Sequence, residues 1–175
     1  MTDISEAIGN QIPLLIRRAE EKDIPAITSI YNDAVLKTAA TFHIEPVSSE
    51  ERYEWFLLHD NSRRPVIVAQ SEDTLVGWAS LSQWNPKPAY DGSAELSVYV
   101  ARNARGGGVG KALMEDLIRR AEQAELHTII SLITEGNEVS MKLHAQLGFE
   151  QTGIIREAGF KFDQYLDVSI WQKIL

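Results

Sequence analysis

The run Arg105-Gly106-Gly107-Gly108-Val109-Gly110-Lys111 is the stretch whose composition speaks most directly of ligand chemistry. It joins a segment that alternates like a strand to one with helical periodicity. Glycines at such a junction let the backbone approach a ligand, and the free amides and dipole of a helix start favour an anion such as a pyrophosphate. Spacing excludes two common phosphate loops. A Walker A loop requires Gly, four residues, then Gly-Lys-Ser/Thr; with Gly110-Lys111 fixed, Arg105 stands at its first position and Ala112 at its last. The dinucleotide fingerprint fails too, since Lys111 falls where its third glycine belongs when Gly106 and Gly108 are the first two. On the glycines alone, a ligand-free flexible turn is the competing reading.

A second set is Asn137, Ser140 and His144, which at i, i+3 and i+7 form one polar stripe on a helix whose other stripe is Val139, Leu143 and Leu147. Such a stripe is either a solvated face, with Asn137 as a simple N-cap, or a row facing a ligand. The chain has no Cys, which excludes disulfides, thiolate metal sites and a Cys nucleophile. Its four His lack the His-x-x-x-His type of spacing, which argues against a metal; His43, His59 and His127 read as ordinary surface or core residues.

The elements that must hold these groups alternate between strand and helix. Residues 1–11 are polar and aperiodic, a flexible tail before a single domain at 12–175. A strand is expected at 12–18, then a helix capped by Asp23 with Ile24, Ile27, Ile30, Tyr31 and Ala34 at helical spacing. A second helix opens on the capping box Ser48-Ser49-Glu50-Glu51 and runs to about His59. Strands at 65–70 and 74–83 form a hairpin about Ser71-Glu72-Asp73, and 84–92 is a loop with Pro86, Pro88 and Gly92, unusually aromatic through Trp84 and Tyr90. A strand at 93–101, a helix carrying Val109, Leu113, Leu117, Ile118 and Ala121, and a strand at 128–134 follow. A helix opened by Asn137 and ended by Gly148, and a terminal pair of strands over 149–174, complete the chain. Hairpins first and a strand–helix–strand–helix unit later predict an α/β fold, a mixed sheet of about seven strands flanked by helices.

Lys and Arg number 17 against 25 Asp and Glu, a net charge of −8 over 175 residues, which disfavours nucleic acid and anionic lipid as partners. The start Met1-Thr2-Asp3-Ile4-Ser5-Glu6 lacks the basic and apolar regions of a signal peptide, so a soluble, cytoplasmic protein without a membrane partner is expected.

Two of these runs carry a resemblance. Arg105-x-x-Gly108-x-Gly110 after Glu95-Leu96-Ser97-Val98-Tyr99-Val100 resembles motif A of the GNAT acetyltransferases, and Asn137-x-x-Ser140-x-x-Leu143-His144-x-x-Leu147-Gly148-Phe149 resembles motif B. Within that superfamily, Tyr90-Asp91, Glu95, Gly159-x-Lys161, Asp167-Val168 and Trp171-Gln172 look like the phosphinothricin and methionine sulfoximine N-acetyltransferases, which acetylate the α-amine of small amino-acid analogues. The chain departs from that pattern at Tyr165-Leu166, where the family carries Trp before Asp-Val.

The resemblance implies a GNAT acyl-CoA N-acyltransferase fold, acetyl-CoA as co-substrate, a small amino-acid acceptor, direct transfer without an acetyl-enzyme, and a homodimer, for which the aromatic content of the Trp84 to Tyr90 loop offers a surface to a second copy. It implies that Val98, Tyr99 and Val100 bond the pantetheine arm through their backbone. Arg105, Gly106, Gly107, Gly108, Val109, Gly110 and Lys111 would hold the pyrophosphate, with Asn137 and Ser140 on the CoA arm. His144 falls where many family members carry a Tyr that protonates the departing thiolate, and it either does so or only packs. Glu95 either deprotonates the amine or anchors the substrate. Phe42, Trp84, Asn85, Pro86, Lys87, Tyr90, Leu96 and Ser97 join Glu95 in the acceptor pocket, with Lys87 or an Arg toward the acceptor carboxylate; the competing reading of Trp84 and Tyr90 is loop packing. The alternatives are a non-catalytic acyl-CoA sensor, or an acetyltransferase for peptide N-termini or polyamines.

Overall fold

The structure, a computed structural model, describes residues 13–59 and 62–175. The expected tail and Ile12 lie outside the described residues. Strand β1 spans Leu15–Arg18, shorter than predicted because Pro13 has no N–H to give a ladder. Helix α1 is Ile24–Lys37 and α2 is Ser49–Leu57. The capping box forms as expected, with Ser48 Oγ accepting from Glu51 N at 3.1 Å and Ser48 N donating to Glu51 Oε2 at 2.7 Å. Asp23 does not cap α1 with its side chain. It closes a 3-10 turn at Glu21–Asp23, and its carboxylate accepts from Arg17 at 2.7 and 2.9 Å and from Glu20 N at 2.8 Å.

The remaining elements are β2 (Val66–Ser71), β3 (Thr74–Gln83), β4 (Ser93–Val100), α3 (Val109–Gln123), β5 (Thr128–Thr134), α4 (Glu138–Gln146), β6 (Glu150–Lys161) and β7 (Gln164–Ile174). Seven strands order as β1-β2-β3-β4-β5-β7-β6, with only β4 and β5 parallel. Strand alternation divides the core into two layers. Val66, Val68 and Trp78 face α1 and α2, joining Ile24, Ile27, Tyr31 and Val35. Ile67, Ala69 and Ala79 face the opposite side, where Leu113, Met114 and Leu117 of α3 pack with Ile129 and Ile133. In the first layer Arg52 is buried with its guanidinium 4.0 Å from the ring centre of Tyr31 and 4.6 Å from that of Trp55. A desolvated cation over aromatic faces gains about 2 kcal/mol, and here it fixes the Tyr31 ring beneath the site described next.

The single parallel contact is short. Ser93, Ala94 and Glu95 pair with Thr128, Ile129 and Ile130, and beyond these three pairs the strands part. The rest of β4 stays paired to β3, and the rest of β5 to β7. One edge of each strand therefore borders a gap that opens toward the start of α3.

Candidate active site

The gap widens into a cleft of about 350 Å³. Its walls come from β4 (Glu95, Leu96, Ser97, Val98, Tyr99), from β5, from α4 and from the segment after α1. Glu95 sits at the last pair before the strands diverge, so its side chain stands in the fork. Burial raises its carboxyl above the ordinary value, because desolvation disfavours the anion.

Helix α4 turns its polar row inward. Asn137 caps it by accepting from Ser140 N at 3.3 Å, and Asn137, Ser140 and His144 all line the cleft. The expected apolar stripe is thereby rotated: Leu143 and Leu147 pack against the core, while Val139 is 80% exposed. His144 is only 2% exposed, edge-on to Phe149. Its Nδ1 lies 2.8 Å from Ser140 O; a carbonyl only accepts, so Nδ1 carries the proton. Nε2 is then a free acceptor, buried and without a partner among the described residues. Burial lowers the imidazole pKa, which favours this neutral form. His144 thus rests as a proton acceptor, able to donate from Nε2 only after a proton is taken up there.

Tyr99 stacks on Trp78 at 4.8 Å and meets Tyr31 edge-on at 5.1 Å, and burial pushes its phenol well above the usual range. Ser131, on β5, is a cleft residue with a buried hydroxyl lacking a partner among the described residues. Tyr31, Thr41, Ser131 and Thr134 also line the site, and the sequence reading missed them as functional. Tyr31 was read as part of a core stripe, and nothing local to Thr41 or Ser131 signals a cleft.

The glycine turn lies past the cleft wall. Gly106 and Gly108 have φ of +79° and +82°, a region that L side chains rarely adopt, and a Cβ on either would meet nothing within 4 Å. The turn is therefore shaped by glycine and open around it. Gly108 precedes α3, so the first amides of that helix are presented at the turn. Gly110 lies beside Val100 at the end of β4 and Leu143 of α4, which sets the turn at the open end of the gap. Arg105 Nε donates to Val100 O at 3.2 Å, and Lys111 pairs with Glu115 at 3.8 Å.

Among the expected acceptor residues, Phe42, Glu95, Leu96 and Ser97 line the cleft, whereas Trp84, Asn85, Pro86, Lys87 and Tyr90 do not. Their loop is held elsewhere. Asn85 Oδ1 accepts from Lys87 N at 3.0 Å, a 3-10 turn spans Pro88–Tyr90, and Arg63 and Arg64 both bond Asp91. Among the described residues no group of three or more His, Asp or Glu is arranged to hold a metal ion.

An anion-ready turn, an open backbone fork and a polar end with a carboxylate and an imidazole suit an elongated ligand with a phosphate at one end and a reactive group at the other. Similarity to known proteins agrees. The Acetyltransferase (GNAT) domain family matches residues 16–170. The L-methionine sulfoximine/L-methionine sulfone acetyltransferase of Pseudomonas aeruginosa is 39% identical over 158 residues, 90% of this chain and 92% of that protein. A ribosomal-protein-alanine N-acetyltransferase from Brucella melitensis superposes with a TM-score of 0.89 at 43% identity, covering 92% of this chain and 99% of that one. A GNAT superfamily phosphinothricin acetyltransferase from Sinorhizobium meliloti, solved in complex with acetyl-CoA, gives 0.89 at 33% identity, covering 93% and 88%.

Proposed function

We propose that this chain, which belongs to the GNAT acetyltransferase family, transfers the acetyl group of acetyl-CoA to the α-amine of a small amino acid or analogue of the methionine sulfoximine, methionine sulfone or phosphinothricin type. The observation that carries the reading is the fork at Glu95, where a carboxylate with raised pKa and a histidine with a free Nε2 border one cleft. The open glycine turn and the first amides of α3 suit the CoA pyrophosphate, and the unpaired edges of β4 and β5 suit its pantetheine arm.

In this mechanism Glu95, directly or through water, takes a proton from the acceptor ammonium. The free amine attacks the acetyl carbonyl, while main-chain amides near Val98 stabilise the developing oxyanion. His144 takes at Nε2 the second proton, which the attacking nitrogen sheds in the tetrahedral intermediate, and returns it to the thiolate as the C–S bond breaks. With no Cys in the chain, no acetyl-thiol enzyme intermediate is available, and proximity supplies much of the rate. The Pseudomonas relative favours free amino-acid analogues. The Brucella neighbour, named for alanine of a ribosomal protein, favours a second reading in which the acceptor is the N-terminal alanine of a protein.

A thiol-release assay with acetyl-CoA separates these. The acceptor panel comprises methionine sulfone, methionine sulfoximine, phosphinothricin, a polyamine and an alanine-start peptide. Turnover confined to the peptide would overturn the small-acceptor reading, and no turnover with any acceptor would favour a sensor. The reading includes a cytoplasmic homodimer. Ile154, Ile155, Phe160, Phe162 and Tyr165 leave an exposed apolar surface on the terminal hairpin, of the kind a second copy covers. Sedimentation at micromolar concentration should give twice the chain mass, and a stable monomer would refute it.

A further inference from the structure

Gly159 and Lys161, conspicuous in sequence, have no part in the mechanism above. They lie two residues apart on β6 and so face the same side, opposite to the exposed Phe160, while Phe162, in the turn after β6, brings its ring centre to 5.1 Å from the Lys161 ammonium. That side meets the segment carrying Thr41 and Phe42, which forms one wall of the cleft.

Two contacts define the meeting. The Phe42 ring lies in the space a side chain at position 159 would occupy: a Cβ built there would overlap Cδ2 and Cε2 and come within 3.2 Å of Cζ. The φ of Gly159 is outside the left-handed region, so the glycine is needed for room and not for its backbone. Lys161 is only 4% exposed, and its ammonium donates to Thr41 O at 2.7 Å across 120 residues of chain. It makes no ion pair among the described residues, and burial lowers its pKa. A buried ammonium without a counter-charge is costly unless its donors are used, and here its hydrogen bond ties down the acceptor wall. Thr41 is also held by Tyr31 Oη at 2.7 Å, and Thr134 Oγ1 fixes Ala39 O at 2.6 Å. The wall is therefore fastened from α1, β5 and β6, but only β6 touches the Phe42 ring through a missing side chain.

We propose that Gly159 and Lys161 are positioning residues that set the size of the acceptor end of the cleft by seating Phe42 and Thr41. This deepens the proposed function and rests on its assignment of the cleft to the acceptor. A methyl at position 159 would push the ring off β6 and reshape the pocket. Loss of the Lys161 donor would free the Thr41 carbonyl and loosen the same wall.

The test uses the full chain in two arms. In the first, the chain is labelled with 4-fluorophenylalanine, the Phe42 resonance is assigned with Phe42→Leu, and Gly159→Ala is compared with the parent. The Phe42 resonance should move while the remaining fluorine lines hold. In the second, steady-state kinetics with methionine sulfone should show the acceptor KM rising between about tenfold and a hundredfold in Gly159→Ala and Lys161→Met, the penalty expected for misplacing substrate by about 1 Å. The acetyl-CoA KM should stay within about twofold, and Lys161→Arg, which keeps a donor, should recover part of the loss. A stationary Phe42 resonance overturns the proposal, as does an acetyl-CoA KM that rises as far as the acceptor's. A parent chain inactive on every amino-acid acceptor refutes the proposed function instead, and the fluorine arm still decides whether Gly159 seats the ring.

Discussion

Replacing Glu95 with Gln preserves the size of the side chain and its reach into the fork while removing its ability to take a proton. General-base assistance contributes a factor of about 10² to 10⁴, or about 2.7 to 5.4 kcal/mol of barrier, and turnover should fall by that amount. Acetyl-CoA binding should change little, because the glycine turn is remote from position 95. Burial raises the Glu95 carboxyl, so the parent's acid limb should lie above the ordinary glutamate value of about 4.3. The assay is thiol release against pH, with acetyl-CoA affinity measured by calorimetry. In the Gln variant that limb should vanish and the residual rate should follow only ionisation of the free amine. The same raised pKa has a stability consequence of definite sign. The folded state binds a proton more readily than the unfolded one, so this group's contribution declines as pH rises from its unfolded value through its raised folded one. Glu95→Gln should therefore match the parent in acid and gain thermal stability relative to it above that window. A loss seen mainly in acceptor KM with the pH profile intact would refute the base assignment and make Glu95 an ammonium anchor.

Gly108→Ala should weaken acetyl-CoA binding by about tenfold or more, read by calorimetry; the added Cβ is free of protein contacts, so the effect comes from a left-handed residue strained by about 1–2 kcal/mol and from obstruction of the anion approach. Unchanged affinity in a folded variant would remove the turn from the binding site. His144→Gln should lower kcat with acetyl-CoA affinity retained, as expected of a group that moves protons. Because burial depresses the His144 pKa, the unfolded chain takes up that proton first as pH falls, so folding weakens below the ordinary histidine value of about 6.5 and levels off below the folded pKa. Urea denaturation across that range should show a shallower acid loss in the Gln variant; equal slopes would refute a neutral, buried His144.

Local signals were legible and convergent ones were not. The glycine run was legible as a turn from its place between strand and helix, while its left-handed residues come from the folded chain; the capping box at Ser48 and Glu51 formed as the sequence predicts. The polar row of Asn137, Ser140 and His144 was visible as a helical stripe, but periodicity does not say which stripe faces inward. Tertiary contact settled that, burying His144 and leaving Val139 in solvent. Asn85, Pro86 and Lys87 were carried to the acceptor by resemblance, whereas the turn at Asn85 and the arginines on Asp91 hold their loop outside the cleft wall. Tyr31 of α1 and Thr41 just after it lie about ninety to a hundred residues from Ser131 of β5, and only the folded chain brings them together.

The three residue pairs that join β4 to β5 also make the sheet mechanically two plates, β1 to β4 on one side and β5, β7 and β6 on the other, joined by a short hinge pin. Neighbouring strands elsewhere share longer ladders: seven pairs between β3 and β4, and seven between β5 and β7. A ligand threaded along both free edges would act as a splint, adding main-chain hydrogen bonds where the ladder is missing. Backbone amide exchange of the two plates would then become coupled on binding, and heat resistance would rise with ligand concentration as mass action requires.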